Sequence, residues 1–184
     1  MSRDLSSKKR KISAHTCVFW DVEDFQVPDG HDPDWVYQKI KSAIAKKGYR
    51  GIVEIKAYGE KNKIRDEFLL AGTIVVPEGD KCARVYRMMS DVLFWTLDNP
   101  SDYPVLVPNV MVISKNILQE EGFLRVLRIL QCRGYNILLA GSYYDVASQN
   151  ELHFVSSLWL WKSLVDGRKP IDQTGSSQSD YNKE

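Results

Sequence analysis

The chain has 184 residues, 25 Lys+Arg against 24 Asp+Glu, a formal net charge of +1, and 43% hydrophobic and 11% aromatic residues. That length supports one α/β domain with a proper core, or one domain with tails. The near-balance of charge excludes a global field for nucleic acid and leaves only local patches, and no apolar run approaches the ~18–20 residues of a membrane span.

Residues 1–14 carry Lys8-Lys9-Arg10-Lys11 among serines and read as a disordered basic arm. The arm lacks the apolar segment of a secretory signal. Residues 17–20 (CVFW) then form a short apolar run that delivers Asp21, Glu23 and Asp24. This is the pattern of a buried strand opening to solvent at its carboxyl end, where ligands bind in open α/β sheets. Asp32-Pro33 reads as an N-cap and first helical residue, and Trp35, Val36, Ile40, Ala43 and Ile44 recur at helical spacing up to Gly48.

Residues 52–58 predict a second strand ended by Gly59, residues 61–71 a short helix, and residues 73–76 a third strand stopped by Pro77. A long helix over 83–97, a strand over 110–113 and a helix over 121–132 closed by Gly134 follow. A fifth strand over 136–140 and a last helix over 152–165, carrying Trp159 and Trp161, complete the pattern. Residues 167–184 read as a disordered polar tail, so the domain is expected over 15–166. Strands alternating with helices predict a Rossmann-like, three-layer, doubly wound parallel sheet. Its strand ends would gather Asp21, Glu23 and Asp24, the Gly59 turn, residues 77–81 and Ser114-Lys115-Asn116 along one edge.

The three cysteines (Cys17, Cys82, Cys132) are odd in number and widely spaced, and read as reduced core thiols of an intracellular protein. His15, His31 and His153 have no ligand spacing with them. Lys61, Lys63 and Arg65 follow the Gly59 turn, and Lys81 and Arg84 flank the same edge. These five cations are candidates for phosphate contact, against the plainer reading of solvated charges. Trp20, beside Asp21, reads as a core residue or as a base-stacking platform.

Five blocks carry a resemblance to a known family: FWDVEDFQVPDG, AYGEKNKI, DVLFWTLDNP, VIS followed by GFLRVLRILQCRGYNILLA, and LWLWKSL. In order and spacing they resemble the NYN domain, and more narrowly the plant branch related to the meiosis regulator and mRNA stability factor (limkain-type) proteins. The resemblance implies a PIN-like nuclease fold acting on single-stranded RNA in RNA decay and regulation of gene expression. It also implies Mg²⁺ or Mn²⁺ held by strand-end acids, with protein partners and a cytoplasmic, nuclear or, through the animal relatives, peroxisomal setting.

Carried onto this chain, the family motif Asp-x-Glu-Asn falls on Asp21-Val22-Glu23-Asp24. Of the two helix aspartates six residues apart, the second is Asp91 and the first falls on Val85. Ser-Gly-Asp-x-Asp-Phe meets Ser114-Lys115-Asn116, an apparent insertion, and Glu120-Glu121-Gly122-Phe123. The resemblance thus assigns catalysis to Asp21, Asp24 and Asp91 and metal to the same three with Glu120 and Glu121. Val85, Asn116 and Gly122 are its degenerate positions. Two functions remain open: a metal-dependent endoribonuclease, and an inactive relative that binds RNA or protein through the same cleft.

Overall fold

The computed structural model describes residues 14–60, 67–70, 73–142 and 152–171. Six strands form one sheet in the order β3-β2-β1-β4-β5-β6, every neighbouring pair parallel. They are β1 (Thr16–Asp21), β2 (Val53–Glu60), β3 (Ile74–Glu78), β4 (Asn109–Ile113), β5 (Asn136–Gly141) and β6 (Ser157–Leu160). The helices are α1 (Pro33–Lys46), α2 (Glu67–Leu70), α3 (Lys81–Asp98), α4 (Glu121–Cys132) and α5 (Trp161–Val165). The doubly wound parallel sheet expected from the alternating pattern is the observed one.

The two faces follow from the period-2 alternation of strand side chains. Cys17 and Phe19 of β1, with Val110 and Val112 of β4, point into the layer of α3 and α4. Val18 and Trp20, with Met111 and Ile113, point into the layer of α1 and α5. Both faces are buried, which is why β1, β4 and β5 are almost wholly apolar. At the N-terminal ends of the strands, Asn109 donates to Thr16 Oγ1 and Asn136 donates to Asn109 Oδ1, each at 2.8 Å. This ladder satisfies polar groups that burial would otherwise make costly.

The local signals for α1 hold as read. Asp32 accepts from Trp35 N at 2.8 Å, Pro33 opens the helix, and Gly48 lies at φ 98° just past it. Gly134 after α4 has φ 85°, and a Cβ there would come within 2.7 Å of Tyr103 Cβ, so that turn admits only glycine.

Five expectations are corrected. Residues 152–165 are not one helix, because 157–160 form edge strand β6 and only Trp161–Val165 is helical. In a strand buried on both faces, Leu158 and Trp159 enter opposite cores, and such a run cannot be told from helix by periodicity alone. Gly59 lies inside β2, opposite Pro77 of β3, and β3 continues through that proline because it is an edge strand. Among the cysteines only Cys17 is buried; Cys82 and Cys132 are exposed on helix surfaces. The described chain also runs past 166, since Ile171 donates to Leu158 O at 2.7 Å and bridges antiparallel to β6.

Candidate functional site

The strand order places the topological switch between β1 and β4, so a crevice opens at their carboxyl ends. Asp21 ends β1 and Ser114 follows β4. Both share parity with the residues that face α3, so both side chains turn toward its N-terminus. There Asp80 caps α3 by accepting from Ala83 N at 2.9 Å. Lys81 and Arg84, three residues apart and so on one face of its first turn, project back at the acids.

Asp21 is fully buried, and its oxygens are occupied. Oδ1 accepts from the backbone N–H groups of Glu23 and Asp24 at 3.1 and 3.3 Å and from Arg84 Nε at 3.1 Å. Oδ2 accepts from Lys81 Nζ at 3.1 Å and Arg84 Nε at 3.2 Å. Arg84 is only 5% exposed and also donates to Gly79 O at 3.0 Å. Asp24 Oδ2 accepts from Ser114 Oγ at 3.0 Å and Lys115 N at 2.8 Å, and forms a close ion pair with Lys81. The Lys81 ammonium thus spends its three donors on Asp21, Asp24 and Ser114 Oγ, the last at 2.7 Å. Two carboxylates and two cations make the cluster neutral.

The other expected site residues lie elsewhere. Asp91 is seven residues beyond Arg84 on α3, about 10 Å along its axis. It pairs with Arg87 at 3.1 Å and accepts from Tyr58 Oη at 2.8 Å. Glu23 accepts from Glu60 N at 3.1 Å and ties β1's end to β2. Glu120 and Glu121 begin α4 after a 3₁₀ turn over Ile117–Gln119. Asn116 opens that turn at φ 56°, a conformation asparagine tolerates better than most residues. Val85 is buried in the core beneath α3, whereas at Gly122 an added Cβ would meet nothing within 4 Å. Lys61, Lys63 and Arg65 lie outside the described residues. Arg84, expected as a phosphate contact, is instead sealed against Asp21. Trp20 is wholly buried, donates to Phe25 O at 2.8 Å, and packs on Phe68 and Trp161, so no face is left for a base.

A family model for the NYN domain matches residues 15–157. The chain belongs to the NYN family. The comparison with curated proteins gave no match. NYN domains are nuclease-like and RNA-related, and their nucleases generally use divalent metals. The acids of this NYN domain do not fit such an ion. Among the described residues no three of His, Cys, Asp or Glu stand together as a ligand set. Both oxygens of Asp21 and the inward oxygen of Asp24 already accept from cations and backbone N–H groups. A hard divalent ion needs free carboxylate oxygens, and here it would also meet two positive charges within the same few ångströms.

The cation pair left one signal in the sequence. The first turn of α3 contains no acid but holds Lys81 and Arg84, where the helix macrodipole disfavours positive charge. Such a placement needs a nearby anion, and Asp21 and Asp24 supply two.

One consequence concerns alkaline pH. Burial, with Glu54 nearby, pushes the Cys17 thiol well above its ordinary 9.0, and burial with Asp91 does the same to Tyr58 above its ordinary 10.0. The folded chain keeps both protons while the unfolded chain loses them. Stability is therefore fully present below pH ~9 and falls as pH rises, by roughly 1.4 kcal/mol per pH unit for each group titrating only in the unfolded state. Urea unfolding between about pH 8 and pH 11 should show this decline. Cys17→Ala with Tyr58→Phe should flatten it, and an unchanged slope would assign the decline to other groups.

Proposed function

We propose that this NYN domain is an RNA-directed binding module that has lost metal-dependent cleavage. The observation that supports this reading is the seating of Lys81 and Arg84 on Asp21 and Asp24. In a nuclease of this type a metal ion activates water and neutralises charge at the phosphate. Here Lys81 and Arg84 take the ion's place against the acids, neutralising Asp21 and Asp24 themselves, and neither can carry a hydroxide to a phosphate. Regulation of gene expression by capturing single-stranded RNA or a protein partner, rather than cutting RNA, is the role that follows. The sequence blocks favour kinship with the plant branch related to the meiosis regulator and mRNA stability factor, and a cytoplasmic or nuclear setting.

The crevice keeps features suited to a nucleic-acid strand. Lys115 is exposed at its mouth, with Nζ 5.4 Å from the Phe25 ring centroid. Lys61, Lys63 and Arg65, next along the chain from β2, are proposed as further phosphate contacts.

The test is to incubate the full chain with labelled single-stranded RNA and Mn²⁺ or Mg²⁺. Binding without cleavage is expected, with affinity falling as salt rises. Melting temperature should not rise with Mn²⁺, because an ion bound by the folded state would have to stabilise it. Metal-dependent cleavage that disappears in Asp21→Asn would overturn the proposal in favour of an active nuclease.

A further inference from the structure

Helices α3 and α4 lie side by side over one face of the sheet, and large apolar side chains interrupt their exposed surface. Leu93, Phe94, Leu97 and Ile129 are 44%, 66%, 76% and 48% exposed. Between the helices runs a groove of about 430 Å³ lined chiefly by Leu93, Leu97, Val126 and Ile129, with Ser90 and Arg133 at its ends. Scattered exposed leucines need no explanation, but a contiguous apolar groove does.

The groove has a charge pattern. Its lining holds a single ionisable group, Arg133. Arg125, exposed and outside the lining, stands four residues before Ile129, and Arg133 four after it, so the three follow one stripe of α4 beside the groove. Neither arginine joins an ion pair among the described residues. From Ser90 to Leu97 the groove follows about two helical turns, roughly 10 Å. That matches the reach of anchors at i, i+3/i+4 and i+7 on a docked helix.

We propose that this groove docks an amphipathic helix of a partner protein whose apolar stripe is flanked by acidic residues. A second copy of this chain fits less well, because a two-fold interface sets the same patch against itself and would oppose arginine with arginine. RNA fits less well because the lining is chiefly aliphatic, with Phe94 its one aromatic side chain, and holds a single cation for phosphate. Tyr135 Oη donates to Thr96 O at 3.1 Å, tying the carboxyl ends of α3 and α4 to the start of β5. The groove therefore lies toward the end of the sheet remote from Asp21. Docking there stands independently of the reading of the crevice.

The probe is a fluorescein-labelled helical peptide of about 16 residues, roughly four turns, with leucines at i, i+3, i+4 and i+7 and glutamates flanking them. Its twin carries lysine for every glutamate. Fluorescence anisotropy with the full chain should show binding of the acidic peptide and at least ~10-fold weaker binding of the twin. Ile129→Glu should abolish binding. Arg125→Glu with Arg133→Glu should reverse the preference. All three positions are exposed, and an unchanged melting temperature confirms that the variants fold. The proposal is overturned if the acidic peptide fails to bind, if both peptides bind equally, or if binding survives Ile129→Glu. It is also overturned if single-stranded RNA displaces the peptide, or if sedimentation shows a dimer of the chain that Ile129→Glu dissolves.

Discussion

Arg84→Ala is expected to lower the unfolding free energy by ~3–5 kcal/mol in urea titrations, because it strands a buried carboxylate. Asp21 has no exposed surface, and Arg84 Nε sits at 3.1 and 3.2 Å from its two oxygens. Lys81 remains, but its side chain is partly solvated and shared with Asp24 and Ser114. The sharper expectation is a reversal of sign. In an Arg84→Met background, which keeps the aliphatic stem, Asp21→Asn should raise stability. The amide oxygen still accepts from Glu23 and Asp24 N–H while the uncompensated charge is gone. In the parent chain the same Asp21→Asn should lower stability. A double-mutant cycle in which the two changes simply add would show that the pair is not coupled.

Trp20→Ala should cost a further ~3–5 kcal/mol, in the range for emptying a large aromatic site. The indole is buried between Phe68 and Trp161, with ring centroids 5.6 Å away in each case, and its Nε1 donates to the Phe25 carbonyl. That bond closes the turn bearing Asp24, so Trp20 shapes the acidic corner from beneath. Trp20→Phe removes the polar contact with a smaller loss of volume. It keeps an aromatic ring but leaves the Phe25 carbonyl without its donor, a loss of about 1–3 kcal/mol. Because no edge of the ring reaches solvent, Trp20→Phe should leave RNA affinity unchanged wherever the chain remains folded. Loss of affinity in a folded Trp20→Phe would show that the turn closed by the Nε1 bond takes part in RNA binding.

The sheet was legible because its signals are local. Asp32-Pro33 and Gly48 bracket α1 through backbone chemistry within a turn of themselves, and the apolar runs of β1, β4 and β5 follow from burial on two faces. Strand β6 was not legible, since Ser157-Leu158-Trp159-Leu160 continues into a helix with no break in hydrophobicity. The acidic edge was legible as a place but not as a set of contacts. Asp21 and Arg84 are 63 residues apart, and their pairing depends on how α3 lies over β1. Motif comparison placed Asp91 at the site. The structure sets it farther down α3 against Tyr58 and Arg87; the Arg87 pair follows from i,i+4 spacing, whereas the Tyr58 contact depends on how α3 lies over β2.

The two margins of the sheet limit how other chains can join it. On β3, Pro77 interrupts the row of donors, and on β6 the returning backbone at Ile171 already occupies the acceptor of Leu158. Unpaired margins are where foreign strands add and where fibrillar stacking begins. In this fold one margin is notched and the other is occupied by its own chain. Any assembly this protein enters is thereby steered away from strand exchange and toward its helices and its crevice, which favours partners that bind and release over partners that become part of the sheet.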